Sequence, residues 1–310
     1  MQTSKPDFKA NEGHLGGVIL VISAGVLWST VGIGIRLIED ASIWQILFFR
    51  SFSLSCFLFG VIYLRFGNLF RQIRIAGIPA IIAGLSLVGA YSGGIYSIQS
   101  TSVANAMLLV ATAPFFAAVL GWVFLWETIR KSTFIMIIFA LLGVGIMVSD
   151  NLTGVELRGS LAAIGSAIAF AVFTVALRWG KSVEMLPAVF LSGVFGVIIT
   201  GVMCLGLNSS FSLSQNDLSI AIGMGIFQVG AGLVLYTLGS KALPAAQLAM
   251  FSLAEVLLAP LWVWLFLGET ISVNTLYGGL VLLSAIVFNA ILVSKNKALS
   301  DKLDGQAANP

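Results

Sequence analysis

Ten apolar runs of roughly twenty residues, separated by short polar breaks, fill the chain from residue 15 to residue 294. A helix needs about 20 predominantly apolar residues to cross the hydrocarbon core of a bilayer. The runs therefore predict transmembrane helices over 15–37, 43–64, 75–97, 103–126, 132–149, 158–177, 186–207, 218–240, 244–267 and 273–294. Each run is continuous, without the two-residue alternation of a membrane-barrel strand. The predicted fold class is all-α and integral to the membrane.

The pattern also repeats. Trp122-Val123-Phe124-Leu125-Trp126-Glu127-Thr128-Ile129 returns as Trp264-Leu265-Phe266-Leu267-Gly268-Glu269-Thr270-Ile271, with six of eight positions identical at an offset of 142 residues. The same offset pairs Gly17 with Gly159, Arg36 with Arg178, Ala104 with Ala246 and Thr133 with Thr275. An offset held along most of the chain marks an internal duplication. Five spans per copy is an odd number, so one copy must be inverted in the membrane. The ten transmembrane helices are thus expected as two inverted five-helix repeats, the plan of alternating-access transporters. The expected divisions are an N-terminal tail over 1–14, a first repeat over 15–149, an outer linker over 150–157, a second repeat over 158–294 and a C-terminal tail over 295–310.

Charge sets the orientation. With the N-terminus in the cytoplasm, 13 of the 16 Lys and Arg residues fall inside, Arg36 and Arg158 fall outside, and Arg50 lies within a span. So strong a bias over short loops is what the positive-inside rule weighs. Both termini are expected in the cytoplasm, and the net charge of +3 reflects orientation rather than a nucleic-acid partner.

Composition excludes much else. Charged residues are 9% of the chain, hydrophobic residues 58%, and mean hydropathy is +1.03; a soluble domain carries about 25% charge. The 33 glycines suit close helix approach in lipid. The sole histidine, His14, lies in the tail, no cluster has metal-ligand spacing, and no glycine-rich phosphate loop is present. No enzymatic activity, metal or cofactor is expected. Cys56 and Cys204 sit inside apolar spans and read as small core residues. The first apolar run is long enough to span, so it does not read as a cleavable signal.

Glu255 is the most informative residue, about a dozen positions from either end of its span. A carboxylate at that depth costs several kcal/mol unless paired, hydrated or protonated. It reads either as a protonated packing group or as a substrate-binding and proton-coupling site; its repeat counterpart is Ala113. Arg50, about two turns inside span 2, either snorkels outward or faces a cavity; its counterpart is Ser192. Pro114 and Pro260 lie in matching spans 4 and 9, as helix kinks that mark a transport path or only shape packing. Trp28, Tyr91, Tyr96, Asn105, Gln228, Tyr236 and Gln247 complete the substrate-binding candidates. Tyr96, Asn105 and Gln247, with Gln99 beside them, also fit an ordinary interfacial role.

Ten spans, the duplication and the ends of spans 4 and 9, Ala113-Pro114 through Trp126-Glu127 and Glu255 through Gly268-Glu269, resemble the EamA family of the drug/metabolite transporter superfamily. Arg50 is also similar to that family's pattern. The resemblance covers roughly 15–295 and implies two EamA-like repeats around a central cavity lined mainly by spans 1, 3, 4, 6, 8 and 9. It implies export of amino acids and related metabolites more than import. Many second halves of the family resemble Glu-Pro in mid-span, whereas here Val256 follows Glu255 and proline waits until position 260. Glu127 and Glu269 read as helix caps or loop anchors rather than substrate ligands.

The resulting expectation is a secondary active transporter of a small polar or zwitterionic metabolite, amino-acid- or amine-like, in a cytoplasmic (inner) membrane of bacterial type. Its partners are the small-molecule substrate, the lipid bilayer and a coupling proton, with monomer and homodimer equally open. The alternatives are a non-transporting intramembrane enzyme or scaffold, and a channel. An enzyme would need a further ionisable constellation, a scaffold no polar cavity, and a channel a ring of repeated charges or carbonyls. The charge bias makes a direct prediction. Single cysteines at Ser4 and Ser300 should be shielded from a membrane-impermeant thiol reagent in intact cells; labelling of either without permeabilisation would contradict the orientation.

Overall fold

A computed structural model of the 310-residue chain describes residues 8–129, 131–149, 154–180, 186–239 and 245–307; the side chains of 8–14, 245–253, 290 and 293–307 lie outside the described residues. The described residues are mostly helical, with no strand among them. Eight stretches are long and apolar enough to cross a membrane: Leu15–Arg36, Ile43–Phe66, Leu69–Ser100, Val103–Leu125, Lys131–Ser149, Gly154–Trp179, Leu186–Gly206 and Gln215–Gly239. Two shorter apolar helical stretches follow, Ala254–Leu267 and Val273–Asn289.

Local chemistry explains where several of these stretches bend. The first contains α1 (Phe8–Ser29) and α2 (Val31–Arg36). Between them the Ser29 and Thr30 hydroxyls donate back to the Val26 and Leu27 carbonyls at 2.7 and 2.6 Å, competing with the helix ladder. Next, α3 (Ile43–Phe66) starts on a capping box of Ser42 and Gln45, which satisfies two orphan donors. Helix α4 (Leu69–Ser100) breaks at Gly77 (φ 63), just before Pro79. Its first two turns, bearing Arg71 and Arg74, are thereby separated from the apolar remainder. The fourth stretch is α5 (Val103–Val110) and α6 (Ala113–Leu125). Pro114 sits in the first turn of α6, where its missing N–H breaks no intrahelical bond.

The chain continues with α7 (Lys131–Ser149), α8 (Gly154–Trp179) and α9 (Leu186–Gly206). The eighth stretch is composite: α10 (Gln215–Gly223), a π-helical segment over Met224–Ala231, and α11 (Gly232–Gly239). Helix α12 (Ala245–Leu267) runs without a break through Pro260, and α13 (Val273–Ala307) follows. The sequence pattern places polar tails over 1–14 and 295–310, whereas α1 and α13 carry helix into both. The C-terminal extension, from Ser294 on, meets no glycine or proline until Gly305, so nothing in the backbone stops the helix.

Packing joins elements before residue 149 to elements after residue 154. Helix α4 lies against α8 and α9, α3 against α9, α10 and the π segment, α1 against α11 and α12, α6 against α8, and α7 against α13. One buried cluster is built on Leu54, Leu58, Leu87, Phe173, Leu186 and Leu233, and another on Ile46, Ile95, Met107 and Val263. Outward apolar side chains such as Leu64, Phe124 and Phe266 stay exposed, as a surface solvated by lipid tails requires. Association in such a solvent rests on close packing more than on apolar burial.

Gly225 shows how close that approach is. A β-carbon there would overlap the Ser53 hydroxyl and the Arg50 carbonyl on α3. Glycine thus lets the π segment lie directly on the helix that carries Arg50. Gly225→Val should lower stability by about 1–3 kcal/mol, the usual cost of overpacking, and reduce transport with it. An unchanged melting temperature in detergent would contradict this contact.

Candidate functional site

Arg50 enters the interior two turns along α3, and the residue is 4% exposed. Its guanidinium carbon lies 4.6 Å from the centroid of the Tyr91 ring, and Nη2 donates to Gln228 Oε1 at 3.4 Å. Its Nε is buried with no hydrogen-bond partner. No carboxylate pairs with Arg50 among the described residues. A desolvated cation on an aromatic face gains about 2 kcal/mol, less than the several kcal/mol that burying a charge costs. The guanidinium therefore retains unmet capacity for an anionic group.

Tyr91 links this cation to the acid. Its hydroxyl is beside Ser192, and Tyr91 lies within electrostatic reach of both Arg50 and Glu255. Glu255 is half-buried on α12 and has no salt bridge among the described residues. Gln228 closes the other side. Its Nε2 donates to the Trp28 carbonyl at 3.4 Å while its Oε1 faces Arg50. Both bonds are at the long limit for hydrogen bonds, so Gln228 is weakly held. The π-helical turn that presents it is a local departure common at functional sites. Trp28 and Tyr236 form an aromatic wall, with ring centroids 5.3 Å apart and planes tilted by 39°. Together α1, α3, α4, α12 and the composite eighth stretch place a cation, an acid, an amide and three amphipathic rings within an apolar bundle.

The remaining candidates have other surroundings. Asn105 is buried on α5, and its amide nitrogen donates to Thr101 Oγ1 at 3.0 Å and Ser160 Oγ at 2.8 Å, clasping α5 to α8. Its Oδ1 has no partner. Tyr96 is half-buried on α4, five residues beyond Tyr91. The Gln247 side chain lies outside the described residues. Pro260 lies two residues before Trp262, whose Nε1 donates to Ser29 Oγ at 2.9 Å and ties α12 to the break after α1. Sequence reasoning passed over two buried polar residues, of which only Ser192 lies at the cluster. Ser192 is the repeat counterpart of Arg50, but the offset maps the Arg50–Tyr91 contact onto Ser192 and Leu233, so no sequence signal placed Ser192 beside Tyr91. Asp217, buried at the start of α10, accepts from the Glu39, Asp40 and Ala41 amides at 3.2, 3.2 and 3.1 Å; no sequence pattern pointed to it.

Two recesses lie apart from this cluster. An apolar one of about 530 Å³ is lined by Met136, Phe139, Leu280 and Phe288 of α7 and α13. Phe139, Leu280 and Phe288 belong to the exposed apolar surface, so the recess belongs to the lipid-facing side. A polar one of about 350 Å³ includes Arg36, Gln99, Thr101, Glu156 and Glu269 at one end of the bundle. Among the described residues no group of three or more His, Cys, Asp or Glu side chains could hold a metal ion.

Comparison with known proteins identifies the class. The chain belongs to the EamA-like transporter family, whose model matches it twice, over residues 15–149 and 157–291. It is 27% identical over 199 residues to the Bacillus subtilis (strain 168) protein named Uncharacterized transporter YwfM, covering 63% of this chain and 67% of that one. A Clostridium kluyveri protein named as a transporter is 26% identical over 246 residues, 76% of each chain. Human solute carrier family 35 member G1 is 26% identical over 211 residues, 63% of this chain and 57% of that one. A solved crystal structure shares the fold, with a TM-score of 0.62 at 15% identity over 88% of this chain and 97% of its own. The family match and transporter-named relatives make this chain a membrane transporter by class.

The aromatic wall gives a test. Trp28→Ala or Tyr236→Ala should raise the substrate concentration for half-maximal transport while leaving expression intact. If the rings serve packing alone, truncation costs about 3–5 kcal/mol of stability. A lower melting temperature with unchanged half-saturation would then remove them from the site.

Proposed function

We propose that this transporter carries a small zwitterionic metabolite, amino-acid- or amine-like, by alternating access, and that it exports it. Arg50, seated on Tyr91 and held by Gln228, receives the carboxylate. Glu255 receives the ammonium group or, when the site is empty, a proton. Trp28 and Tyr236 enclose the apolar part of the substrate, and Ser192 positions the Tyr91 hydroxyl. The observation that carries the reading is the buried Arg50, with an unmet donor and no acid of its own among the described residues, and a half-buried Glu255 that has no salt bridge among them and lies within electrostatic reach of the same Tyr91.

The chain would make ten crossings, with α12 and α13 as the last two, in two inverted halves with both termini cytoplasmic. Support comes from the packing, which is reciprocal under the 142-residue offset: α1 on α12 corresponds to α8 on α6, and α4 on α8 to α11 on α1. Each half therefore packs on the other, as rocking halves around a mid-membrane site must. Coupling follows from competition. A carboxyl group that binds either an ammonium or a proton exchanges one for the other as the site turns from face to face.

The test is counterflow in proteoliposomes with a pooled set of amino acids and amines. Glu255→Gln keeps volume and hydrogen bonding but removes the titratable charge. It should abolish net, proton-driven movement and its pH dependence while leaving the protein folded. Wild-type rates with unchanged pH dependence would return Glu255 to a packing role.

A further inference from the structure

Two ion pairs stand apart from the central cluster, and the duplication relates them. Arg36 Nε meets Glu269 Oε2 at 2.9 Å, and Arg178 Nη1 meets Glu127 Oε2 at 2.7 Å. Arg36 and Arg178 are separated by 142 residues, and so are Glu127 and Glu269. In each pair the arginine comes from one repeat and the glutamate from the other. The pairs are therefore one contact made twice, with the halves exchanged.

Their surroundings are alike in kind, although the accepting carbonyls are not related by the offset. Each arginine also donates to a backbone carbonyl: Arg36 Nη2 to Thr101 at 2.8 Å and Arg178 Nη2 to Ala117 at 3.1 Å. Each glutamate follows a left-handed residue that ends its helix, Trp126 (φ 58) and Gly268 (φ 68). Its amide turns back to the carbonyl six residues earlier, Glu127 to Gly121 at 3.2 Å and Glu269 to Val263 at 3.4 Å. A bulky residue rarely adopts positive φ, yet Trp126 holds the conformation that glycine supplies in the other copy. The turn that aims the carboxylate is thus kept despite its conformational cost.

Position gives the pairs a role. Arg36 ends the first crossing and Arg178 the sixth, so an alternating chain brings them to opposite faces. The environments differ in degree: side chains of the Arg36 pair are 28% and 24% exposed, and those of the Arg178 pair 41% and 43%. Glu269 also accepts from the Val103 amide at 2.7 Å, fastening three segments at its face. Partly hydrated ion pairs of this kind are weak enough to break and reform. Halves that rock open at one face must separate there while staying in contact at the other.

Resting on the alternating-access reading above, we infer that Arg36–Glu269 and Arg178–Glu127 are reciprocal latches. Each closes the path at its own face, and each must open for substrate to pass there. Both are made in this structure. Breaking one latch by mutation shifts the population toward the state open at that face. An exposed or half-exposed pair supports a change of about threefold in that ratio.

The test uses full-length protein in oriented vesicles with Cys56→Ser and Cys204→Ser, and a reporter cysteine at Ser192 beside Tyr91. A membrane-impermeant thiol reagent is applied to one face at a time. Glu269→Gln should raise labelling from the Arg36 face about threefold and lower it from the opposite face; Glu127→Gln should do the reverse. The charge-swapped Arg36→Glu/Glu269→Arg protein should move back toward the parental ratio without reaching it, because the swapped pair cannot remake the bonds to the Val103 amide and the Thr101 carbonyl. Shifts in the same direction, or a lower melting temperature without opposite shifts, would make the pairs structural staples and overturn the latches. Parental labelling from one face alone would overturn alternating access itself, a separate failure.

Discussion

The cost of holding charge in hydrocarbon organises this molecule. An apolar bundle tolerates an ionised side chain only with specific compensation. At Arg50 that compensation is visibly partial: an aromatic face, one long bond to an amide, and an Nε without a partner. The glycine-cleared contact of the π segment on α3 brings Gln228 within reach, and the Trp28 carbonyl holds that amide from behind. The local geometry of three helices is thus spent on one guanidinium that remains under-satisfied. A binding site needs that residual demand, because a substrate can meet it only if the protein has not.

Charges nearer the ends follow another rule. Arg36 and Arg178 have full partners in Glu269 and Glu127, and each also bonds a carbonyl. There the protein meets its own demand, and partial hydration keeps the contacts reversible. The contrast is between a central cation left partly unmet and terminal ones that are fully met, the difference on which the proposed recognition and closure roles rest. Both use arginine, whose planar fork can engage several acceptors at once.

Much of the fold was legible in the sequence because a bilayer leaves few options. Continuous apolar runs mean helices, and eight of the expected spans appear as long apolar stretches. The offset of 142 residues announced the duplication that the family model matches twice. Finer features were hidden. The breaks at Thr30 and Ala111–Thr112, the π turn at Met224–Ala231 and the helical extension to Ala307 depend on local hydrogen bonding that hydropathy does not encode. Within the site, Arg50 and Glu255 were conspicuous because charge is rare in the spans. Ser192 was not, because a serine in an apolar helix is unremarkable until its neighbour is known. Glu127 and Glu269 were readable as anchors, and Arg36 and Arg178 as repeated. Their pairing across halves needed three dimensions, because the offset shows only that each is repeated.

The central claim is that the site recognises both charges of a zwitterion. The most direct measurement is the ligand-induced shift in melting temperature of the purified protein. It would be taken with a pool of free amino acids, with the matching carboxamides, and with the matching N-acetyl derivatives. The account predicts stabilisation by the free amino acids only, because the amides leave Arg50 unmet and the acetylated forms leave Glu255 unmet. Equal stabilisation by all three sets would contradict it.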